Sequence, residues 1–348
     1  MHDTFFGYTN FNSLFYLFTI LHIPSSRGLT ELMKTHLKMW AVFVSFFIIV
    51  FVVNNKYTNR YTETLASVSI ETNGSPNELI KTIEKEAPKY EVAPKDAHID
   101  SIWKAIPGYN GLKVDIKASY KKMKDSGKYD KNKLVFKQVP PKVHLSDLAP
   151  TPVYRGVSDK KMVAFTINVA WGNEYLPKML EVLKKHHAGA TFFLEGRWVK
   201  DNPTLAQLIM HANQEIGNHS YSHPDMANLS TQAINLQLIK TNSIIEATTK
   251  QKVKWFAPPS GSYRADVIKE AARLGLGTIM WTADTIDWQR PSKEVVISRV
   301  MKKLENGTIV LMHPTSPTSE ALDELLTKIE KTGRKVVNIS TLLSENRE

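Results

Sequence analysis

Three histidines and an aspartate that could bind a metal or transfer a proton lie in the C-terminal half of this 348-residue chain. His219 and His223 stand four positions apart in the segment 218–224, which reads NHSYSHP. Imidazole is a common metal ligand, although a histidine pair at this spacing is by itself a modest signal. Farther along, Asp287 and Trp288 place a carboxylate beside an aromatic ring, and His313 adds a third imidazole.

The amino-acid composition excludes several kinds of catalytic and metal site. The chain has no cysteine, which excludes disulfides, cysteine–zinc sites, iron–sulfur clusters and a thiol nucleophile. Hydrophobic residues make up 42% and charged residues 23%, an ordinary globular mixture. At ~150 residues per domain, the length predicts roughly two domains. The formal net charge is +11, from 45 basic and 34 acidic residues, so an anionic partner has to be considered.

A regular alternation of strands and helices begins at Lys161. Apolar runs predict strands at 162–167, 190–194, 253–257, 276–281, 308–312 and 336–337. Helices are predicted at 174–187, 203–212, 231–249, 264–274, 292–305 and 320–331. A repeated strand-then-helix order predicts an α/β fold with a parallel sheet or barrel, whose site lies at the carboxyl ends of the strands.

Polar groups follow the predicted strands at those ends. They are Asn168, Glu195, the 218–224 segment, the Pro-Gly loop 257–261, Asp284 with Asp287 and Trp288, and His313. Because several strand ends each supply such groups, the pattern indicates a functional site rather than packing.

The N-terminal part predicts a membrane anchor. Residues 39–53 read MWAVFVSFFIIVFVV, an apolar run that spans only ~22 Å as a helix against a hydrocarbon core of ~30 Å. Flanking Lys38 and Lys56 can reach the two interfaces, so an uncleaved signal-anchor (33–56) is favoured over a cleaved signal or a buried segment. Residues 1–32 are interpreted as an extension from an upstream start, or as an amphipathic lead-in.

The middle of the chain predicts a basic stalk and small α+β domain at 57–140. Amphipathic helices are expected at 76–89 and 97–103, and a short alternating run at 113–116. Residues 117–142 hold nine lysines and two acids. Few aromatics and no nucleic-acid-binding motif accompany them, so a solvated face, an anionic wall polymer or lipid headgroups are favoured over nucleic acid. Prolines mark 141–160 as a linker to the main domain, 161–340.

Residues 161–337 resemble the NodB-homology polysaccharide deacetylases, a carbohydrate esterase family, through five motifs in order. The segments INVAWGNEYLP, FFLEGRWVK, FAPPSGS and TIMWTADTIDW are similar to those of a sporulation-associated branch of that family. This closer match extends from Met33. The resemblance implies a distorted (β/α) barrel and a divalent metal, zinc or cobalt. It also implies removal of acetyl groups from N-acetyl sugars of wall glycan.

The resemblance also implies roles for individual residues. His219 and His223 fall on the two histidine metal-ligand positions, and His313 falls on the catalytic acid. Asp287 would orient His313, and Trp288 would form a wall of the pocket that holds the acetyl group. Pro259 and Ser260, in the third motif, would contact substrate.

Three positions depart from the family pattern. The catalytic base position is Asn168, whose amide oxygen is a poor proton acceptor, and the carboxylate metal ligand is replaced by Val169. The third motif's arginine, which pairs with the base, is Ala257. An arginine beside a neutral asparagine would be an unpaired buried cation, costing on the order of 3–5 kcal/mol, so these losses are mutually consistent.

These departures lead to three functional interpretations. The favoured one is a deacetylase homologue with a degenerate site and weak or no hydrolase activity, anchored in the cell membrane with its C-terminal domain outside the cytoplasm, that meets wall glycan during sporulation. An alternative is an active deacetylase in which Glu195 or Glu174 replaces a missing carboxylate. For Glu195, a salt bridge to Arg197 or Arg264 is the simpler interpretation. A scaffold acting through the lysine-rich middle is another. The glycan and the oligomeric state stay open.

Overall fold

The structure is a computed structural model that describes residues 76–347, together with positions 37, 39–42, 44–45 and 60. The chain divides into two compact units between Glu78 and Leu79. Among the described residues no helix is both long and apolar enough to cross a membrane. The expected anchor at 39–53 lies mostly outside the described residues, and the extension 1–32 lies wholly outside them.

A small α+β region precedes the main sheet. Its elements are α1 (Pro76–Glu86), β1 (His98–Asp100), β2 (Lys104–Ile106), β3 (Gly111–Val114), α2 (Ile116–Met123) and β4 (Phe136–Val139). β1 pairs with β2 and β3 with β4, both antiparallel. A separate small core holds this region together, with Leu79 and Ile83 of α1 packed among Val114, Met123 and Leu134.

One of the two helices expected in this region is confirmed. The 76–89 segment is α1, extended by a 3-10 turn at Ala87–Lys89. The prediction of a helix at 97–103 is wrong, because the chain there forms β1 and a tight turn. The Asp100 carboxylate accepts the N–H groups of Ile102 and Trp103, each at 2.7 Å, and this local bonding competes with a helix.

The main domain is built on an eight-stranded sheet whose pairings are all parallel. Its strands are β5 (Met162–Val169), β6 (Ala190–Leu194), β7 (Glu215–Asn218), β8 (Trp255–Phe256), β9 (Gly277–Thr278), β10 (Ala283–Asp284), β11 (Ile309–Met312) and β12 (Lys335–Val337). Their order is β10-β11-β5-β6-β7-β8-β9, with β12 pairing β5. This curled sheet is consistent with the NodB-type (β/α) fold.

Helices connect these strands, as the alternating pattern predicts. They are α3 (Leu176–Lys185), α4 (Gly196–Asp201), α5 (Pro203–His211), α6 (Thr231–Thr249), α7 (Ala265–Arg273), α8 (Lys293–Lys302), α9 (Ser316–Lys331) and α10 (Ile339–Leu343). Four further elements, each six residues or shorter, were not predicted from the sequence, namely α4, β7, β10 and α10.

β5 lies at the centre of the sheet and is buried along its whole length. Alternate residues face opposite sides of a strand. Phe165, Ile167 and Val169 therefore pack with apolar residues of the surrounding helices, whereas Ala164 packs into a second cluster with Phe193, Ala257 and Ile309. Asn168 continues the Ala164 series, so its side chain lies at the carboxyl end of the sheet's inner face.

The segment expected as a linker, 141–160, is bonded to the sheet. Val153 donates its N–H to the carbonyl of Thr278 at 2.9 Å and accepts from Met280 at 2.8 Å, next to β9. Gly156 donates to the carbonyl of Gly307 at 2.8 Å, next to β11. These bonds bring the segment to strands on both sides of the curled sheet.

Candidate functional site

A cavity of about 450 Å³ opens at the carboxyl ends of the strands. Its lining consists of Asn168, Ala170, Trp171, His219, His223, Ser260, Trp281, Asp284, Trp288, Leu311 and His313. We call it the central cavity. Six residues singled out from the sequence, namely Asn168, His219, His223, Ser260, Trp288 and His313, are therefore brought together.

Three other residues singled out from the sequence do not line this cavity. Asp287 is fully buried behind His313, and Pro259 is buried in the 3-10 turn that carries Ser260. Val169 is fully buried among apolar side chains of the helix-side core.

His313 and Asp287 form a closely bonded pair. One oxygen of Asp287, Oδ1, lies 2.8 Å from Nδ1 of His313. The other, Oδ2, accepts the His313 N–H at 2.7 Å and the hydroxyls of Thr315 and Thr318 at 3.1 and 2.5 Å. The pair therefore fixes the imidazole and leaves its Nε2 for the cavity.

The Asp287 carboxylate is stabilised in its charged form. Burial alone would raise its pKa, but the hydrogen bond and charge of His313, together with the bond from Thr318, outweigh burial. The pKa of Asp287 therefore lies below its usual value. This arrangement is suited to orienting an imidazole that gives or takes a proton.

The loop that carries His219 and His223 is fixed by side-chain bonds to its backbone. The Asn218 side chain accepts the Ser220 N–H at 2.8 Å, and the Ser220 hydroxyl accepts the His223 N–H at 3.0 Å. Ser220 and His223 adopt positive φ angles of 63° and 54°, a conformation uncommon for residues other than glycine. The centroids of the His219 and His223 imidazole rings lie 5.0 Å apart, in an edge-to-face arrangement.

Nδ1 of His219 lies 2.8 Å from the carbonyl oxygen of Ala257, so Nδ1 carries the proton and donates it. Burial, and next the neighbouring His223, lower the pKa of His219 to about 3. Neutral His219 thus keeps Nε2 as a hydrogen-bond acceptor.

The side of the site that comprises the base, carboxylate-ligand and arginine positions lacks the expected charged groups. Asn168 is 5% exposed, and no described residue hydrogen-bonds its Oδ1. Ala257, at the position of the family's arginine, is 4% exposed and packs in the inner core of the sheet. Val169 is fully buried in the helix-side core and does not line the cavity. This side therefore has neither a proton acceptor strong enough to act as a base nor a carboxylate ligand.

The donor set does not fit the metal that the family resemblance implies. Catalytic zinc sites use three protein ligands, and the two histidines here have no carboxylate beside them. Across the described part of the chain, no group of three or more His, Asp or Glu side chains could hold a metal ion.

The two glutamates that could have substituted for the lost carboxylates lie elsewhere. Glu195 caps α4, accepting the N–H of Trp198 at 3.2 Å, and its other oxygen lies 3.5 Å from Nε of Arg197. The expected salt bridge with Arg197 is therefore present. Glu174 is exposed and lines neighbouring cavities.

Five residues that line the cavity, among them Trp171 and Asp284, were not assigned a role from the sequence. Trp171 stacks on His313 with ring centroids 5.9 Å apart and planes within 9°. Asp284 is the one carboxylate among the residues that line the central cavity. Trp171 follows β5 and Asp284 ends β10, so the strand-end pattern was the available signal, and that pattern had already included Asp284. Gly261 also matters, because a Cβ there would lie 2.8 Å from the Trp281 ring.

Comparison with known proteins places this geometry in a family. The polysaccharide deacetylase profile matches residues 155–279. YlxY of Bacillus subtilis is 51% identical over 309 residues, 88% of this chain and 97% of that protein. The peptidoglycan-N-acetylmuramic acid deacetylase PdaA of Bacillus subtilis is 34% identical over 197 residues, covering 55% of this chain and 75% of PdaA.

A solved structure is also similar. A Bacillus anthracis protein described as a CE4 family pseudoenzyme is 60% identical, with a TM-score of 0.72 over 78% of this chain and 96% of that one. A mutant of it, 59% identical and also at TM-score 0.72, is described as having restored enzymatic activity. The motifs, the parallel sheet and these relatives together establish that the chain belongs to the polysaccharide deacetylase family, carbohydrate esterase family 4.

Proposed function

We propose that this protein binds cell-wall glycan through the deacetylase groove with weak or no hydrolysis of the acetamide. The supporting observation is that some of the family's catalytic positions keep bonded, functional side chains and others do not. His313 and Asp287 keep a full set of hydrogen bonds, whereas the base, carboxylate-ligand and arginine positions are Asn168, Val169 and Ala257. The description of a 60% identical relative as a pseudoenzyme supports the same conclusion.

The retained residues still form a binding surface. Asp287 holds His313 so that Nε2 can bond a sugar hydroxyl, and the imidazole and amide groups of the central cavity orient one sugar unit. Without a base or three metal ligands, the chain's own residues do not activate water.

Two exposed tryptophans extend that surface. Trp171 and Trp288 are 46% and 57% exposed. Trp171 lines the central cavity and two adjoining cavities of about 720 and 940 Å³. Each adjoining cavity is in the ~300–1,000 Å³ range of a small-ligand site, so the groove suits an oligomer. An aromatic face beside such a groove can pack on the apolar face of a sugar ring.

Co-sedimentation with purified peptidoglycan tests this proposal. We expect the unaltered chain to sediment with the sacculi, and Trp171→Ala with Trp288→Ala to weaken binding about tenfold or more, since aromatic anchors carry much of an interface's energy. Leu236→Ala, an exposed apolar residue on α6, serves as the matched control. Absence of binding by the unaltered chain would refute the proposal.

We also propose that residues 39–53 hold the protein at the cell membrane with the C-terminal domain outside the cytoplasm. The support is the apolar run and its flanking lysines. The sporulation setting rests on sequence resemblance. Deleting residues 39–53 should release the protein from the membrane fraction, and retention there would refute the anchor.

A second candidate function, a scaffold that binds an anionic envelope polymer, is favoured by one feature of the small α+β region. Lys113 and Lys137 are directly paired across β3 and β4 and both are exposed. Like charges so placed destabilise a strand pair by ~0.2–1 kcal/mol. Among the described residues, no lysine from Lys113 to Lys142 has a carboxylate within 4.0 Å.

Charge reversal separates this candidate from the glycan proposal. Lys113→Glu with Lys137→Glu should abolish salt-sensitive binding to poly(glycerol phosphate), whereas Lys81→Glu, on exposed α1 surface, should not. Equal binding by both variants would remove the scaffold function.

A further inference from the structure

The central cavity is rich in hydrogen-bond acceptors. Asn168, which is 5% exposed and lines the cavity, has an Oδ1 that is buried and that no described residue hydrogen-bonds. His219 presents Nε2, because its Nδ1 donates to Ala257. Asp284 presents a carboxylate whose Oδ1 accepts only one N–H, that of Ile286 at 2.8 Å, and a carboxylate has about four acceptor positions.

The same cavity has no fixed cation. Of the described residues that line it, none is lysine or arginine. The family's arginine is Ala257, and the donor set does not fit the family's metal. The cavity therefore has acceptors and one negative charge, without the cationic groups that would stabilise a carbonyl oxygen or a developing oxyanion.

This chemistry distinguishes two states of an amino sugar. A protonated primary amine has three N–H donors, a positive charge and no acceptor, so it matches the Nε2 acceptor of His219 and the carboxylate of Asp284. An acetamide has one N–H donor, a carbonyl acceptor and no charge. It therefore cannot offer the Asp284 carboxylate a positive charge.

We propose that the central cavity binds the free amine of a de-N-acetylated hexosamine unit, in preference to the N-acetylated unit. This inference rests on the proposed glycan-binding function and specifies its ligand. The reaction that supplies such a unit is hydrolysis of the acetamide by an active deacetylase, which releases acetate and leaves the amine on the sugar. The protein would thus act after that reaction, as a reader of its product.

Calorimetric titration of the full chain with glucosamine tetrasaccharide and with N-acetylglucosamine tetrasaccharide tests this inference. The titrations are done below neutral pH with EDTA present, so that the amine is protonated and no metal contributes. We expect the deacetylated oligomer to bind about tenfold more tightly, as one charge-assisted hydrogen bond would provide.

Two variants should shift that preference in opposite directions. Asn168→Asp adds a carboxylate and should tighten binding of the deacetylated oligomer about tenfold, whereas Asp284→Asn should weaken it about tenfold. Asp125→Asn, a distant exposed aspartate, is the matched control and should leave it unchanged. Because the two changes have opposite signs, loss of folding cannot produce both.

The outcomes separate the two proposals. Equal binding of the two oligomers, or tighter binding of the acetylated one, overturns the amine preference and leaves the glycan-binding function standing. Binding of neither oligomer overturns both.

Discussion

The two sides of the central cavity differ in how completely their polar groups are bonded. On one side, Asp287 is buried and accepts bonds from His313, Thr315 and Thr318. On the other, Asn168 is almost as buried and its Oδ1 has no partner. The comparison shows that Asp287 and His313 form a fully bonded unit, whereas the base, ligand and arginine positions carry no charged group.

Reversing the three replaced positions together should produce a large gain of activity. Asn168→Asp, Val169→Asp and Ala257→Arg together should give metal-dependent acetate release from N-acetylglucosamine oligomers, at least about 10³-fold above the unaltered chain. The restored activity described for a mutant of the Bacillus anthracis relative supports this expectation. Adding His313→Ala should remove the gain. Failure of the triple variant, if it is folded, would show that more than these positions has diverged.

Restoring the arginine alone, without the base carboxylate, should destabilise the fold. Ala257→Arg places a cation at a position that is 4% exposed, with no nearby partner, and should lower the free energy of unfolding by about 3–5 kcal/mol. Adding Asn168→Asp should recover most of that loss, because the pair is then restored. Urea denaturation of the four members of this cycle measures the coupling, and additive effects would contradict a paired replacement.

The bonded side should respond oppositely to truncation. Asp287→Ala leaves the Thr315, Thr318 and His313 donors without their acceptor and should cost about 2–3 kcal/mol of unfolding free energy. Asn168→Ala removes an unpartnered group and should change stability by less than about 0.5 kcal/mol. Similar losses for both variants in thermal unfolding would erase the distinction between the two sides.

A smaller effect is expected far from the cavity, where His186 joins α3 to α9. Its ring nitrogens lie 2.7 Å from Asp323 and 2.9 Å from Glu330. Burial lowers the pKa of His186, but hydrogen bonds to Asp323 and Glu330 outweigh it, so the pKa is raised above 6.5. The stabilisation is present below the unfolded-state pKa and is lost as pH rises through the folded-state pKa.

Replacing that histidine therefore has a pH-dependent cost. His186→Gln should cost about 0.5 kcal/mol in acid and little at alkaline pH, as expected for partly exposed ion pairs. Parallel pH series of urea unfolding for the two proteins check this, and a difference that grows with pH would contradict it.

Long, strongly patterned elements could be predicted from the sequence. The strand at Ala190–Leu194 and the helix at Thr231–Thr249 have the predicted bounds. The helix begins after Ser230, whose hydroxyl accepts the Ala233 N–H at 3.2 Å, a local signal visible in the sequence.

Short elements could not be predicted, because distant pairing defines them. β7 reads EIGN, with one large apolar residue, and is held between β6 and β8. β10 is two residues long and exists through its pairing with β11. Asp284, which ends β10, could be named among the polar groups that follow the predicted 276–281 strand, but not as the end of a separate strand.

The composition of the candidate site was only partly predictable. Residues at strand ends could be named, but which side chains share the cavity depends on loops such as the one with Ser260 at φ 54°. The strand expected to stop at Ile167 continues to Val169, so that Val169 packs on the helix side. The stacking of Trp171 on His313 joins segments more than a hundred residues apart.

In the proposed function, the deacetylase groove binds glycan with weak or no hydrolysis of the acetamide. The most direct measurement is acetate release from peptidoglycan and N-acetylglucosamine oligomers by the purified chain, with added zinc or cobalt, alongside its metal content. We predict substoichiometric metal and no acetate above background, while the glycan still binds. Near-stoichiometric metal with steady acetate release would contradict the account.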